Sequence, residues 1–421
     1  MNKIEEIVYH ALYKNPTAKI FVRNLYQGLY DLLPTPMQQV PEHTSIAKGT
    51  YFGFHDVSQI SVDDKKLLAL RNPFDGRMPN AGESEDVGYW DLSIDGQVGE
   101  FHVVDKTYAW NYHKGCREQW YDNDHIVFNT AIDGKIVAKK INVFTGESEV
   151  WALPIDSISY DRKEYLTFSY ERLEHCMPGY GYPYHDESFL NDDAPSDTGL
   201  FMVDIATGVK TLLVSLAELA STAPEEFRQN HIHYVTHTEF SHDDRYISFL
   251  HRWIRKEGTN LKRWTRIMVY DRQTKTLTEL PTQISGSHYV WNKRHQLLAT
   301  CIINNKSVQV LFDMNDVNKY KIIAPEVLNT DGHQSFIDND TFITDTYADK
   351  RRMAKLYKVH IPTQTVELLA NLHSPKEFQS FRKKGTGHIA CDFHPRVSYS
   401  CKYVTIDCAS TGVRSTMVIK L

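Results

Sequence analysis

The sequence lacks a hydrophobic run of the length that a membrane-spanning helix needs. About 20 consecutive apolar residues are required to cross a bilayer, and no segment of the 421 residues approaches that length. The first residues, MNKIEEIVYHALYKNPTAKIF, contain early acidic residues and also lack the apolar run of a secretory signal. We therefore expect a cytoplasmic protein without a membrane span.

An excess of positive charge is also missing, because 47 Lys and Arg stand against 53 Asp and Glu. This balance gives no broad basic field for nucleic acid, so we expect no such partner. The six cysteines have no paired spacing and are expected to be mostly free thiols. The absence of a G-x-S-x-G motif and of a nucleotide-binding βαβ unit argues against a serine hydrolase and against a glycosyltransferase.

Histidine is abundant instead, and four of the 20 histidines begin copies of one repeated pattern. In each copy an apolar residue stands three places after the first residue, followed by a polar turn and an alternating apolar strand. Three weaker copies precede these four, so the repeat occurs seven times. The copies begin at Val57, Arg117, Ile155, His237, His288, His333 and His394.

Another strand and turn follow each copy, so the unit is a pair of hairpins, which predicts a four-stranded propeller blade. Seven units predict an all-β, seven-bladed β-propeller over residues 49–421, preceded by a short N-terminal extension over 1–48. In this extension EEIVYHAL and VRNLYQGLYDLL have the apolar spacing of two helices. Because the last copy ends after its third strand, we expect a strand between Met37 and Thr50 to close the ring. A pair of β-sandwiches with coincidental spacing is the alternative fold.

The repeated histidines predict a site, because the first strand of each propeller blade lines the central channel. The four that should converge at one mouth are His237, His288, His333 and His394. A second group should lie behind them, where the second strands return: His251, Arg252, Asp345, Tyr347 and Asp407. Such a mixture of imidazole, carboxylate, guanidinium and phenol groups can bind a metal or transfer protons. Alternatively, each histidine is a framework residue that satisfies a backbone group.

The segment HIACDFH adds thiolate and imidazole groups next to the last repeated histidine. These groups are ligands that suit zinc or a similar transition metal. Together with a histidine from across the channel they would complete a four-ligand site. We therefore predict a divalent metal ion, Zn or Mn, with the ligands His288, His333, His394 and Cys391.

Several segments resemble those of the propeller polysaccharide lyases, which include the oligogalacturonate and ulvan lyases, and of related bacterial surface-polysaccharide propellers. They are HTEFSHDDRYISFLHRW, DGHQSFIDNDTFITDTYADKRR, CDFHPRVSYSCKYVTIDCASTG and PGYGYP. The resemblance implies cleavage of a uronic-acid-containing glycan by β-elimination in a metal-binding channel. It implies His288 and His394 as metal ligands and His237 as the base, while Asp392 stands where a histidine would be expected.

The likeness to the ulvan lyases further implies that Tyr182 of PGYGYP and His113 form a Tyr and His pair. The arginine of that pattern has no matching position in this sequence, and we expect Arg252 to neutralise the uronate carboxylate in its place. Aromatic residues also cover sugar faces well. The residues expected to contact the substrate are Tyr180, Trp120, Tyr347, Arg396 and His251. The partner would be an acidic oligosaccharide or polysaccharide. The second hypothesis is a non-catalytic propeller that binds a glycan or a protein of surface-polysaccharide metabolism.

Overall fold

The computed structural model describes residues 22, 26–184, 190–256, 263–379 and 389–421. Their strands form seven antiparallel sheets, which are the blades of a β-propeller, so the predicted fold is confirmed. The division of the chain at residues 48 and 49 stays a prediction. Among the described residues, no helix is both long and apolar enough to cross a membrane.

Blade 1 has three named strands, whereas blades 2 and 3 have four. In blade 1 residues 51–60 run beside the first named strand through bridges at Tyr51 and Ile60. Its strands are Lys66–Arg71, Glu85–Leu92 and Val98–Thr107. The strands of blade 2 are Gln119–Trp120, His125–Ile132, Lys135–Asn142 and Ser148–Trp151. The strands of blade 3 are Ser157–Ile158, Glu164–Thr167, Gly199–Asp204 and Lys210–Ser215.

The next three blades follow the regular four-stranded order. The strands of blade 4 are His231–Phe240, Tyr246–Arg255, Arg263–Asp271 and Thr276–Glu279. The strands of blade 5 are Tyr289–Trp291, Gln296–Ile303, Lys306–Asp313 and Lys321–Ile323. The strands of blade 6 are Gln334–Phe336, Thr341–Asp345, Met353–His360 and Thr365–His373.

Blade 7 joins the two ends of the propeller. Its chain-terminal strands are Arg396–Val397, Tyr403–Cys408 and Ser415–Lys420. The fourth strand is Thr44–Lys48, which pairs antiparallel with Ser415–Lys420 and lies in the window expected from the sequence. The pairing covers the backbone edge that the last repeat would otherwise expose.

Short helices lie outside the blades. Residues 26–31 are helical, where the second N-terminal helix was expected, and Arg352 of blade 6 donates two hydrogen bonds to Asp31 at 2.8 Å each. The helix expected over EEIVYHAL lies outside the described residues. The other helical segments are Tyr170–Cys176, Leu216–Ser221, Glu225–Phe227 and Lys376–Phe378.

A repeated polar turn ends the inner hairpins and links neighbouring blades. In blade 4 the Ser241 hydroxyl donates to Asp243 at 2.7 Å, and Asp244 adopts a left-handed φ of 60°. The Asp244 carboxylate accepts hydrogen bonds from the Tyr160 and Asp161 amides of blade 3, at 2.7 and 2.9 Å. Asp tolerates the left-handed conformation better than most residues, which explains its place in this turn.

Candidate metal centre

The four repeated histidines lie side by side at one mouth of the channel. Their ring centroids are 6.4 Å apart between His237 and His288, 4.1 Å between His288 and His333, and 4.3 Å between His333 and His394. All four are buried. Residues as far apart in sequence as 237 and 394 are thus neighbours, as the repeat predicts.

Two side chains from outside the repeat close this arc into a circle, which we call the histidine ring. The His113 ring centroid lies 4.8 Å from that of His394 and 4.4 Å from that of Tyr180. The Tyr180 ring in turn lies 6.0 Å from His237. The Asn111 amide joins the two loops, because it donates to the Gly181 carbonyl while its oxygen accepts from the His113 amide.

Phe54 occupies the centre of the histidine ring, which the repeat does not predict. Its centroid is 4.8 Å from that of His237 and 5.3 Å from that of His394. His113, His288 and His333 are all within 6.4 Å. Backbone amides before Phe54 donate to Asp407, and Arg396 donates to the carbonyl oxygens of Gly53 and Phe54. The channel is therefore closed by a clamped segment of blade 1.

Several imidazoles of this site have a partner at Nδ1. His333 Nδ1 lies 3.0 Å from both oxygens of Asp345, and His288 Nδ1 lies 3.3 Å from Asp331. His237 Nδ1 lies 2.8 Å from the Thr236 hydroxyl. A carboxylate at one ring nitrogen orients the other nitrogen and makes it a better metal ligand.

The opposite ring nitrogens of several imidazoles have no hydrogen-bond partner in the part of the chain that the structure describes. Nε2 of His55, His237, His333 and His394 is buried without a hydrogen-bond partner among the described residues. Burial lowers the pKa of all four imidazoles well below 6.5, so they are neutral at pH 7. Neutral imidazole nitrogens with an available lone pair are suited to binding a metal or accepting a proton.

One trio of side chains brings its ligand atoms together. Among the described residues, His113, Asp392 and His394 alone place one ligand atom each within 4.8 Å of the other two. His113 Nδ1 and Asp392 Oδ2 are 3.9 Å apart. Burial, and then the charge of Asp345, raises the pKa of Asp392 to about 7, and a bound cation would offset that cost. Two imidazoles and a carboxylate fit Zn or Mn.

Of the four predicted metal ligands, the trio contains His394 but not His288, His333 or Cys391. Cys391 packs in an apolar cluster with Phe378 and Ala409 and does not join the trio. Burial raises the pKa of its thiol well above 9, which disfavours the thiolate that a metal would need. Asp392, one residue further, takes its place. His288 and His333 lie beside the trio, and His388 of the HIACDFH segment lies outside the described residues.

Arg252 supplies a buried positive charge near the histidine ring. Its guanidinium donates to the Thr265 hydroxyl at 3.1 Å and contacts the Met177 sulfur at 3.1 Å. No carboxylate pairs with it among the described residues, although its charge influences the pKa of Tyr180 and of His237. Burial lowers the pKa of Arg252, a cost that a carboxylate of a ligand would offset.

Tyr182 and Trp120 lie inside the blades, which corrects two predictions. The Tyr182 hydroxyl accepts a hydrogen bond from the Asn129 amide at 3.0 Å, and its ring stacks on Tyr170. The Trp120 indole donates to the Gln59 carbonyl at 2.9 Å. Both side chains are at most 1 % exposed. They are framework residues, and Tyr180 is the tyrosine of PGYGYP that reaches the ring.

His251 and Arg396 are also framework residues in the structure. His251 lies between His233, at 2.9 Å, and Arg266, at 2.9 Å. Arg396 pairs with Asp407 at 3.0 Å and clamps the segment before Phe54. Neither side chain is available to a substrate. Of the predicted sugar contacts, Tyr180 lies in the ring.

Tyr347 stands at the edge of the histidine ring. Its centroid is 5.6 Å from that of His333, and 40 % of the residue is exposed. An exposed aromatic side chain beside the buried histidine ring is a suitable surface for contact with a sugar.

Three residues of the site were not assigned roles from the sequence. Phe54 and His55 precede the first repeat copy, so the repeat could not locate them. In the sequence, Asp392 stands where the resemblance implies a histidine, and this position gave it no role. The signal that could have found it is its position two residues before His394 in the last blade.

Comparisons with known proteins agree with this fold. No protein-family model matches the chain, and no curated protein sequence matches it either. An oligogalacturonate lyase from Vibrio parahaemolyticus superposes with a TM-score of 0.59 at 12% identity, over 91% of this chain and 96% of that one. An oligogalacturonate lyase in complex with manganese gives 0.60 at 14% identity, over 92% and 97%. The chain shares their fold.

One more distant structure also matches. The tricorn protease gives a TM-score of 0.48 at 10% identity, over 92% of this chain and 36% of that one. At 12–14% identity the two oligogalacturonate lyases show the fold alone, and the chemistry of this chain has to be argued from its own side chains.

Proposed function

We propose that this protein is a metal-dependent lyase that cleaves a uronate-containing oligosaccharide or polysaccharide by β-elimination. The observation that carries the proposal is the cluster of three groups at one mouth of the channel: a His/Asp ligand trio, neutral histidines with available Nε2 atoms, and the Arg252 guanidinium, which pairs with no carboxylate among the described residues. The fold shared with an oligogalacturonate lyase in complex with manganese supports it.

The trio is the proposed metal site. His113, Asp392 and His394 would hold a divalent cation, which when bound supplies positive charge beside an acidic substrate. His333 lies next to the trio, and Asp345 orients its imidazole through Nδ1. Zn and Mn both accept this mixture of nitrogen and oxygen ligands.

Arg252 is the proposed partner of the uronate carboxylate. A guanidinium presents a planar set of donors that matches a carboxylate in two parallel hydrogen bonds. In the described structure this group has a hydroxyl and a thioether as its partners, so an acidic ligand would meet an uncompensated charge. Neutralising the carboxylate makes the adjacent C5 proton easier to remove.

His237 is the proposed base. Burial, and then the charges of Lys114 and Arg252, lowers the pKa of His237 well below 6.5, so the imidazole is neutral at pH 7. An anionic substrate would raise that pKa and make the imidazole a better proton acceptor. Nε2 takes the C5 proton, the C–H electron pair forms the C4–C5 double bond, and the C4–O bond breaks with its electrons on the leaving oxygen.

Tyr180 is the proposed proton donor to the leaving oxygen. Burial raises the pKa of Tyr180, so the phenol keeps its proton at neutral pH until a strongly basic alkoxide develops. Its ring lies 6.0 Å from that of His237. Return of the proton from the His237 imidazolium to the phenolate, through water, restores both groups.

The test is to incubate the protein with galacturonate and glucuronate oligosaccharides, with and without added Mn or Zn, and to follow the ultraviolet absorbance of the unsaturated product. Turnover that falls by a factor of about 10²–10⁴ in His237→Ala supports the proposal. His295→Ala is the matched control, because His295 pairs with Asp243 in an inner turn. Absence of product with every acidic glycan would overturn the lyase proposal, and binding without turnover would favour a non-catalytic glycan-binding propeller.

A further inference from the structure

The channel has a second mouth, opposite the histidine ring. The inner turns of several blades surround a cavity of about 700 Å³ there. His55 and Asp56 lie at its inner end, so the Phe54 segment separates it from the histidine ring. A cavity of this volume is large enough for a small organic ligand. We call it the second mouth.

Glu239 is a buried carboxylate of the second mouth that forms no ion pair among the described residues. The residue is 9% exposed, and its Oε2 has no hydrogen-bond partner among the described residues. Burial, and then the charge of Asp56, raises the pKa of Glu239 well above 4.5. Asp56 itself is paired with Arg117 at 2.9 and 2.6 Å. The Trp291 backbone amide and the charge of Arg117 lower the pKa of Glu239 in part, but of these two carboxylates Asp56 is the one that forms an ion pair among the described residues.

Among the described residues, the other charged side chains of the second mouth do not form an ion pair with Glu239. Asp243 forms an ion pair with His295 at 2.9 Å, and Asp338 is exposed. Lys293 is the one lysine or arginine among the described residues that line the cavity, against four carboxylates. The second mouth is therefore acidic, whereas the histidine ring lies beside Arg252.

Aromatic side chains form much of the remaining wall. Tyr160 and Tyr399 are 47% and 44% exposed, and Trp291 and Phe336 line the same cavity. Aromatic faces attract organic cations and pack against alkyl chains. A metal ion is disfavoured, because no group of three ligand atoms occurs here among the described residues.

We propose that the second mouth binds a small organic cation, a protonated aliphatic amine, whose ammonium group pairs with the Glu239 carboxylate. The aromatic wall would contact the alkyl part of the amine. Glu239 also lines a small cavity beside His237 and His288, but the inference does not depend on the proposed lyase activity.

The test is calorimetric titration of the full-length protein with putrescine, with 1,4-butanediol as the uncharged analogue. We expect putrescine to bind and the diol to bind at least tenfold more weakly. Glu239→Gln keeps the shape of the side chain and should weaken putrescine binding by about thirtyfold or more, as for loss of one partner of a buried charge pair. Asp338→Asn, at the exposed rim, should change the affinity by less than about twofold.

Tyr399→Ala provides a second variant, because its exposed ring can be removed without disturbing the core. It should weaken putrescine binding about threefold to tenfold, the contribution of one aromatic side chain packed against the alkyl part of the amine. The proposal is overturned if putrescine does not bind, or if Glu239→Gln, shown to be folded by its thermal unfolding, binds it as tightly as the wild type.

Discussion

Both oxygens of the Asp345 carboxylate lie 3.0 Å from His333 Nδ1. The carboxylate also accepts hydrogen bonds from the backbone amides of His333 and His394, at 2.7 and 3.2 Å. One side chain from the second strand of blade 6 thus orients two members of the histidine ring. Because Asp345 is buried, it does this in a region of low dielectric, where such contacts are strong.

The first prediction concerns this carboxylate. Asp345→Asn should lower the affinity for Mn or Zn about tenfold, the lower end of the usual cost of removing an orienting partner, because Asp345 holds the backbone amide of the ligand His394 and orients His333 beside the trio. The measurement is competition of the bound metal against a chelator of known affinity. Asp316→Asn, in an exposed turn of blade 5, serves as the control. Equal metal affinity in the two variants would contradict an orienting role for Asp345.

The second prediction distinguishes the neighbouring residues Asp392 and Cys391. Asp392→Ala removes a carboxylate from the ligand trio and should abolish stoichiometric metal, whereas Cys391→Ala should retain it because the thiol lies in an apolar cluster. The measurement is elemental analysis of the metal that stays bound to each variant after dialysis. Loss of metal in Cys391→Ala, with retention in Asp392→Ala, would reverse the assignment of ligands.

The third prediction concerns Arg252. Arg252→Met keeps much of the side-chain volume but removes the charge, so kcat/KM for an acidic oligosaccharide should fall about a hundredfold, as expected when a charged hydrogen-bond pair is lost. Steady-state kinetics checks the result. Arg255→Met, at the exposed end of the same strand, should retain wild-type kinetics. An unchanged kcat/KM in Arg252→Met would remove this residue from the proposed site.

The fourth prediction concerns stability and pH. Burial raises the pKa of Glu118 to about 8. Its carboxylate accepts a hydrogen bond from the Cys116 backbone amide at 2.9 Å. The unfolded carboxyl ionises near pH 4.5 while the folded one keeps its proton, so the free energy of unfolding should fall as pH rises from about 4.5 to 8. The loss is on the order of a few kcal/mol.

Glu118→Gln should remove much of this pH dependence, because the amide is neutral throughout and still offers an oxygen to Cys116. Denaturant unfolding at pH 5 and pH 8 measures the effect for the wild type and the variant. The exposed Glu149→Gln should behave like the wild type. A variant whose stability falls between pH 5 and 8 as steeply as that of the wild type would show that Glu118 does not retain its proton.

Much of the fold could be predicted from the sequence, because each blade repeats one pattern of strand and turn. The seven copies predict seven blades, and the truncated last copy predicts a closing strand, which is Thr44–Lys48. The same repetition locates His237, His288, His333 and His394 at one mouth. The location of these four histidines could be predicted because equivalent positions of successive blades face the same channel.

Tertiary structure alone decided which other side chains reach that mouth. Successive residues of a strand point to opposite faces, so spacing could not show that Arg252 lies near the ring while His251 lies between His233 and Arg266. His113 and Tyr180 come from loops outside the repeat, and their positions depend on the contacts that hold those loops. The sequence by itself determined the symmetric frame, and the packing of non-repeated segments decided the chemistry inside it.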